Sequence, residues 1–104
     1  MRNTASGTPA HDLTPRFTPG PWRRIGHRHI VTTAGASLPI CEVWSGGVGI
    51  EQADANECLI AAAPEVFAAL AAIVAECSKG YHLIPNRLLD QARAALELAQ
   101  GGRS

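Results

Sequence analysis

Residues 39–62 read Pro39-Ile40-Cys41-Glu42-Val43-Trp44-Ser45-Gly46-Gly47-Val48-Gly49-Ile50-Glu51-Gln52-Ala53-Asp54-Ala55-Asn56-Glu57-Cys58-Leu59-Ile60-Ala61-Ala62. The hydrophobic period changes inside this stretch. Before Ser45 the β-branched and aromatic residues alternate, as in a strand with Ile40 and Trp44 on one face and Cys41 and Val43 on the other. After Gly49 the apolar residues recur with helical spacing. Ser45–Gly49 is the flexible link between the two regimes. A strand region followed by a helical region defines an α+β chain.

Working back from Pro39, two more strands are expected. Trp22-Arg23-Arg24-Ile25 is one and His29-Ile30-Val31-Thr32-Thr33 is the other. Ala34–Ser37 supplies the hairpin turn, with Gly35 free to take positive φ. Two or three such strands need a helix against one face. Working forward, a first helix spans about Gln52–Ala62 and buries Cys58, Leu59 and Ala62. Pro64 starts a second, since proline suits the first helical position. Its stripe is Val66, Leu70, Ile73, Val74 and Cys77, with Phe67 at the edge, and Lys79-Gly80 ends it. A third helix begins at Pro85, turns Leu88, Leu89, Ala92, Ala95, Leu96 and Ala99 inward and stops at Gly101-Gly102. The expectation is therefore a small antiparallel two- or three-stranded sheet followed by three helices, the last two forming an αα-hairpin. Residues 1–17 read as a flexible tail, 18–100 as one domain and 101–104 as a flexible C-terminus.

The 104 residues bound this to a single domain. Nine basic and nine acidic residues cancel, but unevenly. Through Cys41 there are five arginines and one carboxylate, Asp12, whereas the rest carries four basic and eight acidic residues. The chain is thus dipolar, and neither a strongly basic nucleic-acid binder nor a disordered polymer. No secretory signal pattern opens it, and Pro64-Glu65 interrupts the longest apolar run short of the ~20 residues of a membrane span. A cytoplasmic setting in a bacterial host cell is expected, with no membrane partner. Cys41, Cys58 and Cys77 are too few and too spread for a disulfide framework and read as small buried hydrophobes. Cys41, following a basic stretch, comes nearest to a reactive thiol.

Two phrases carry a resemblance. One is Phe17-Thr18-Pro19-Gly20-Pro21-Trp22. The other is Ala53-Asp54-Ala55-Asn56-Glu57-Cys58-Leu59-Ile60-Ala61-Ala62-Ala63-Pro64-Glu65. In this order they resemble a group of small phage and prophage proteins that pair a Thr-Pro-Gly-Pro-Trp start with an Ala-Asn-Ala-x-Leu-Ile-Ala-Ala-Ala-Pro-Glu-Leu-Leu phrase and an alanine-rich C-terminal helix. The likeness covers roughly residues 17–99. It departs at Glu57-Cys58, where the group has a small and then a basic residue, and at Val66-Phe67, where it has two leucines. The resemblance implies a phage accessory protein and carries no catalytic residue. Proteins of this class and size include inhibitors of host defences such as CRISPR systems, so an anti-CRISPR-like role is the expectation it brings.

The chemistry legible in the residues themselves is that of binding. Arg23-Arg24-Ile25-Gly26-His27-Arg28-His29 is a basic hairpin suited to an acidic protein surface, phosphate or nucleic acid. Against this stands a simpler reading, in which these arginines pair with helix carboxylates such as Glu51 or Asp54. Arg23, Arg24, Arg28 and His29 are the candidate partner contacts. Asn56, in the first turns of a helix, is a fifth, against the simpler structural reading in which its amide caps the helix or bridges to the neighbouring loop. His27 and His29 share a strand face and could join Cys41 around zinc, but no fourth ligand is evident. Asp54 and Glu57 share a helix face and are expected to face water. Ser45–Gly49 lacks the lysine and hydroxyl of a P-loop. No nucleophile has an activating base at a recognisable spacing. The reading is a non-enzymatic phage protein without cofactor or metal, docking on a host protein or ribonucleoprotein complex. The alternative is nucleotide or nucleic-acid binding through the hairpin. More alanines are present than one helix contact needs, which adds a possible homodimer.

Overall fold

The computed structural model describes residues 14–33 and 35–101. Three strands, β1 (Trp22–Ile25), β2 (His29–Thr32) and β3 (Pro39–Glu42), precede two helices, α1 (Ile50–Cys77) and α2 (Asn86–Ala99). The sheet is antiparallel in the order β1-β2-β3. Arg24 lies opposite Ile30, and Ile30 opposite Cys41, with a bulge between Ile30 and Val31. Period-two alternation sends Trp22, Arg24, Ile30 and Cys41 toward α1. There Ile30, Val43 and Ala53 form a buried cluster, flanked by Trp22, Ile40, Cys41, Ile60 and Ala61.

A second cluster joins the helices. Phe67 and Val74 of α1 meet Leu89 and Leu96 of α2, with Phe17, Leu70, Ala71, Cys77 and Ala92 around them. Phe17 ties the two clusters together. Its ring meets Phe67 edge-on at 5.0 Å and Trp22 edge-on at 6.2 Å, the aromatic geometry favoured by ring quadrupoles. The backbone N–H of Arg16 donates to Gln100 Oε1 at 2.9 Å, and the Gln100 amide donates to the Thr14 carbonyl. Residues 14–17, expected to extend the flexible tail, are thus clasped to the end of α2. The remaining tail residues, 1–13, lie outside those described, as do 102–104 of the expected flexible C-terminus.

The expected first and second helices are one. Pro64 does not restart a helix but sits buried inside α1. It deprives the Ile60 carbonyl of its usual donor, a cost that ends most helices. Here both sides of the proline are pinned. Ile60 and Ala61 pack on the sheet cluster, Phe67 packs on α2, and Gly20 lies against the proline ring. Tertiary packing therefore overrides the local break, and the last helix pair is α1 with α2. The uninterrupted α1 is by length and composition long and apolar enough to cross a membrane, contrary to the reading that Pro64-Glu65 cuts the run too short.

The merger also rotates the inward face. Ala53, Glu57, Ile60, Ala61, Pro64 and Phe67 point at the protein, whereas Cys58 and Leu59 are exposed, and so are Val66 and Ile73. In α2, Leu89 and Leu96 are buried but Leu88, Ala95 and Ala99 are not. Trp44, expected to share a strand face with Ile40, is 79% exposed because β3 ends at Glu42 and the chain leaves the sheet before reaching it.

Candidate functional site

The basic hairpin meets α1 through a compact ionic cluster. Its turn places Gly26 at φ 56° and Arg28 at φ 77°. The glycine takes this conformation freely, whereas Arg28 is an unusual residue for it. Two things hold Arg28 there. Its carbonyl accepts from the Val43 N–H at 2.7 Å, and its guanidinium is anchored under α1. Nη1 of Arg28 donates to Asp54 Oδ1 at 2.6 Å and also to Glu57 Oε2. Nε of Arg24 donates to the other Glu57 oxygen at 3.1 Å, and its Nη1 reaches Cys58 Sγ at 3.2 Å. Glu57 is 2% exposed and Arg28 7%.

Burial alone would push the Glu57 carboxyl up. The hydrogen bonds from Arg28 and Arg24, with their charges, outweigh it and hold Glu57 below the usual glutamate range. In turn the Arg24 guanidinium is stabilised above its ordinary value, chiefly by the hydrogen bond to Glu57, and that of Arg28 chiefly by the bond to Asp54. This arrangement locks hairpin to helix. It offers no free base, because both Glu57 oxygens already accept from guanidinium groups.

The strand alternation therefore splits the five candidate residues. Arg24 and Arg28 turn to α1, where Arg28 is too buried to contact a partner. Arg23 and His29 lie on the outer sheet face with Ile25, which is 41% exposed. Arg23 reaches across the sheet to Ser37 Oγ at 3.5 Å, and His29 Nε2 lies 3.9 Å from Glu42. Asn56 is exposed on the second turn of α1, apart from both groups, and bridges to no described loop. His27, His29 and Cys41 do not converge. Cys41 turns into the sheet cluster, His29 Nδ1 bonds the His27 carbonyl, and no group of three or more potential metal ligands occurs among the described residues. Cys41 is partly buried, and the exposed thiol beside a guanidinium is Cys58. Glu57, expected to face water, is the hub of the cluster. Its position in the series Ala53, Glu57, Ile60, Ala61, Pro64 is the signal that could have placed it inward.

A family model described as Salmonella phage P22 protein Y8K6 matches residues 8–103. The chain belongs to this phage protein family. The match spans both phrases that suggested a phage origin, and it identifies a phage accessory protein. No curated protein and no solved structure matches the chain. In this member of the family the two phrases meet in space. Gly20, between Pro19 and Pro21, stacks on Pro64, and an open, largely apolar groove of about 460 Å³ runs between them, lined by Pro15, Phe17, Pro19, Pro21 and Ala68 among others. The phrases are thus the two halves of one packing contact.

Proposed function

We propose that this phage protein acts by binding, docking on a host protein or ribonucleoprotein complex and inhibiting it in the manner of an anti-CRISPR protein. The choice of a defence complex rests on the phage family. The choice of protein contacts over nucleic acid rests on one observation: Asp54 and Glu57 neutralise Arg24 and Arg28. Among the described residues, Arg23 is the one arginine of the hairpin's three without a carboxylate partner, and a single phosphate contact supports little affinity for nucleic acid. The outer sheet face adds side chains suited to a protein interface. Trp44 and Leu38 are exposed near β3, and Arg23, Ile25 and His29 lie on the face itself. Tryptophan and arginine are the residue types that dominate binding energy at such surfaces.

The test is an affinity pull-down of the tagged full-length protein from bacterial host lysate, with nuclease-treated and untreated halves read by mass spectrometry. A stoichiometric protein partner should survive nuclease and be lost with a Trp44→Ala/Arg23→Glu variant. Enrichment that disappears with nuclease would favour the nucleic-acid reading instead. A partner that the double variant retains would move the interface off the sheet.

A further inference from the structure

The outward face of α1 carries an apolar stripe that the protein's own core does not use. Ala55, Leu59, Ala62, Val66, Ala69 and Ile73 follow one another at spacings of four, three, four, three and four residues. That is the heptad repeat of a coiled-coil seam, averaging 3.5 residues. The seam lies opposite the side that packs on the sheet and about a quarter-turn from the side that packs on α2; Ala62 is half-buried and the other five positions are exposed. Leu59 is 66%, Val66 54% and Ile73 49% exposed. An isolated exposed leucine needs no explanation, but a contiguous row of this length does.

The order of sizes on the stripe points to its occupant. Small and large side chains alternate: Ala, Leu, Ala, Val, Ala, Ile. Set antiparallel to itself about residue 64, the stripe brings Ala55 opposite Ile73, Leu59 opposite Ala69 and Ala62 opposite Val66. Every large side chain then meets an alanine, which lets two helices approach closely with their side chains interleaved. A parallel pairing would set like against like, leaving gaps at the alanines and crowding elsewhere. Self-complementarity about a two-fold axis is the property of an isologous dimer interface.

We propose that α1 pairs antiparallel with α1 of a second copy of this chain, through the seam from Ala55 to Ile73. No formal charge lies on the seam, so nothing on it repels its own copy. The one carboxylate flanking the centre, Glu65, has its Oε2 on the side of Gly20. At 1.5 Å per residue the seam is ~27 Å long and, one helix wide, covers roughly 300 Å² in projection and about twice that in accessible area per copy. Two copies then reach the ~1,200 Å² at which specific interfaces begin.

Sedimentation equilibrium of the full chain tests this. The wild type should be a dimer at ~100 µM. Leu59→Glu and Ala69→Lys should each weaken dimerisation about tenfold or more by burying an unpaired charge. The double variant should restore it, because residue 59 of one copy faces residue 69 of the other only in the antiparallel arrangement. Far-UV circular dichroism and urea unfolding establish that each variant is folded, since these positions are exposed in the protomer. A folded wild type that is monomeric at this concentration overturns the proposal. So does a monomer that co-sediments with phosphatidylcholine vesicles, which would assign the stripe to lipid. A dimer that neither single variant weakens, or that the double variant fails to restore, overturns the antiparallel seam.

Discussion

Replacing Gly20 by alanine should destabilise the protein through one identifiable contact. A methyl group added at residue 20 would lie 2.6 Å from Pro64 Cβ and 3.1 Å from its Cγ. Carbon atoms that are not bonded make favourable contact at about 3.5–4.0 Å. Pro64 cannot swing aside, because its ring is fixed to the backbone of a helix held by both core clusters. The 17–21 segment must therefore move outward, which loosens Phe17 between Phe67 and Trp22. Overpacking of this kind costs about 1–3 kcal/mol. For a domain of this size each kcal/mol lowers the melting temperature by roughly 4–8 °C. Urea unfolding followed by tryptophan fluorescence should show a lower midpoint with an unchanged slope. Gly46→Ala is the control. Nothing lies within 4 Å of the added methyl there, so it should be neutral or gain up to about 1 kcal/mol from reduced unfolded-state entropy. If Gly20→Ala matches Gly46→Ala within about 0.5 kcal/mol, the Pro-Gly-Pro segment is not seated on Pro64 and the account of the two phrases is wrong.

Acid titration should expose the Glu57 cluster. Its carboxyl is held low in the folded protein, so the unfolded chain binds more protons as pH falls. That stability is fully present above the ordinary glutamate pKa and is lost as pH drops through the lower folded value. Glu57→Gln should flatten the dependence in this window, as measured by urea midpoints from pH 6 downward. Leu96→Ala, at a 1% exposed position joining α2 to α1, should cost about 2–5 kcal/mol in the same assay. Trp44→Ala should leave stability within about 0.5 kcal/mol, separating any loss of partner capture from unfolding. For the ionic cluster, a cycle of Arg28→Ala, Glu57→Ala and the double variant should be non-additive, the double losing less than the sum; strict additivity would refute direct coupling.

The strands and the α+β order were written into residues 22–49. Alternation, turn glycines and the change of period are local signals, and local signals survive without tertiary context. The phage origin was equally legible, because the two phrases stand intact in the chain. The size pattern of the outer α1 stripe is also present in the sequence, but it reads as core until the inner face is known. Three matters depended on tertiary structure. The first is the continuity of α1 through Pro64, since a proline's local cost can be offset only by packing on both sides of it. The second is the use of the basic hairpin. Seven residues read as one positive stretch, yet strand alternation turns Arg24 and a left-handed turn carries Arg28 onto Glu57, leaving Arg23 and His29 outside. The third is the inward face of α1, which is set by the sheet and by Phe17 folding back from distant sequence. A helix whose residues are apolar nearly all round has no strong preference of its own for which side to bury, so its neighbours choose.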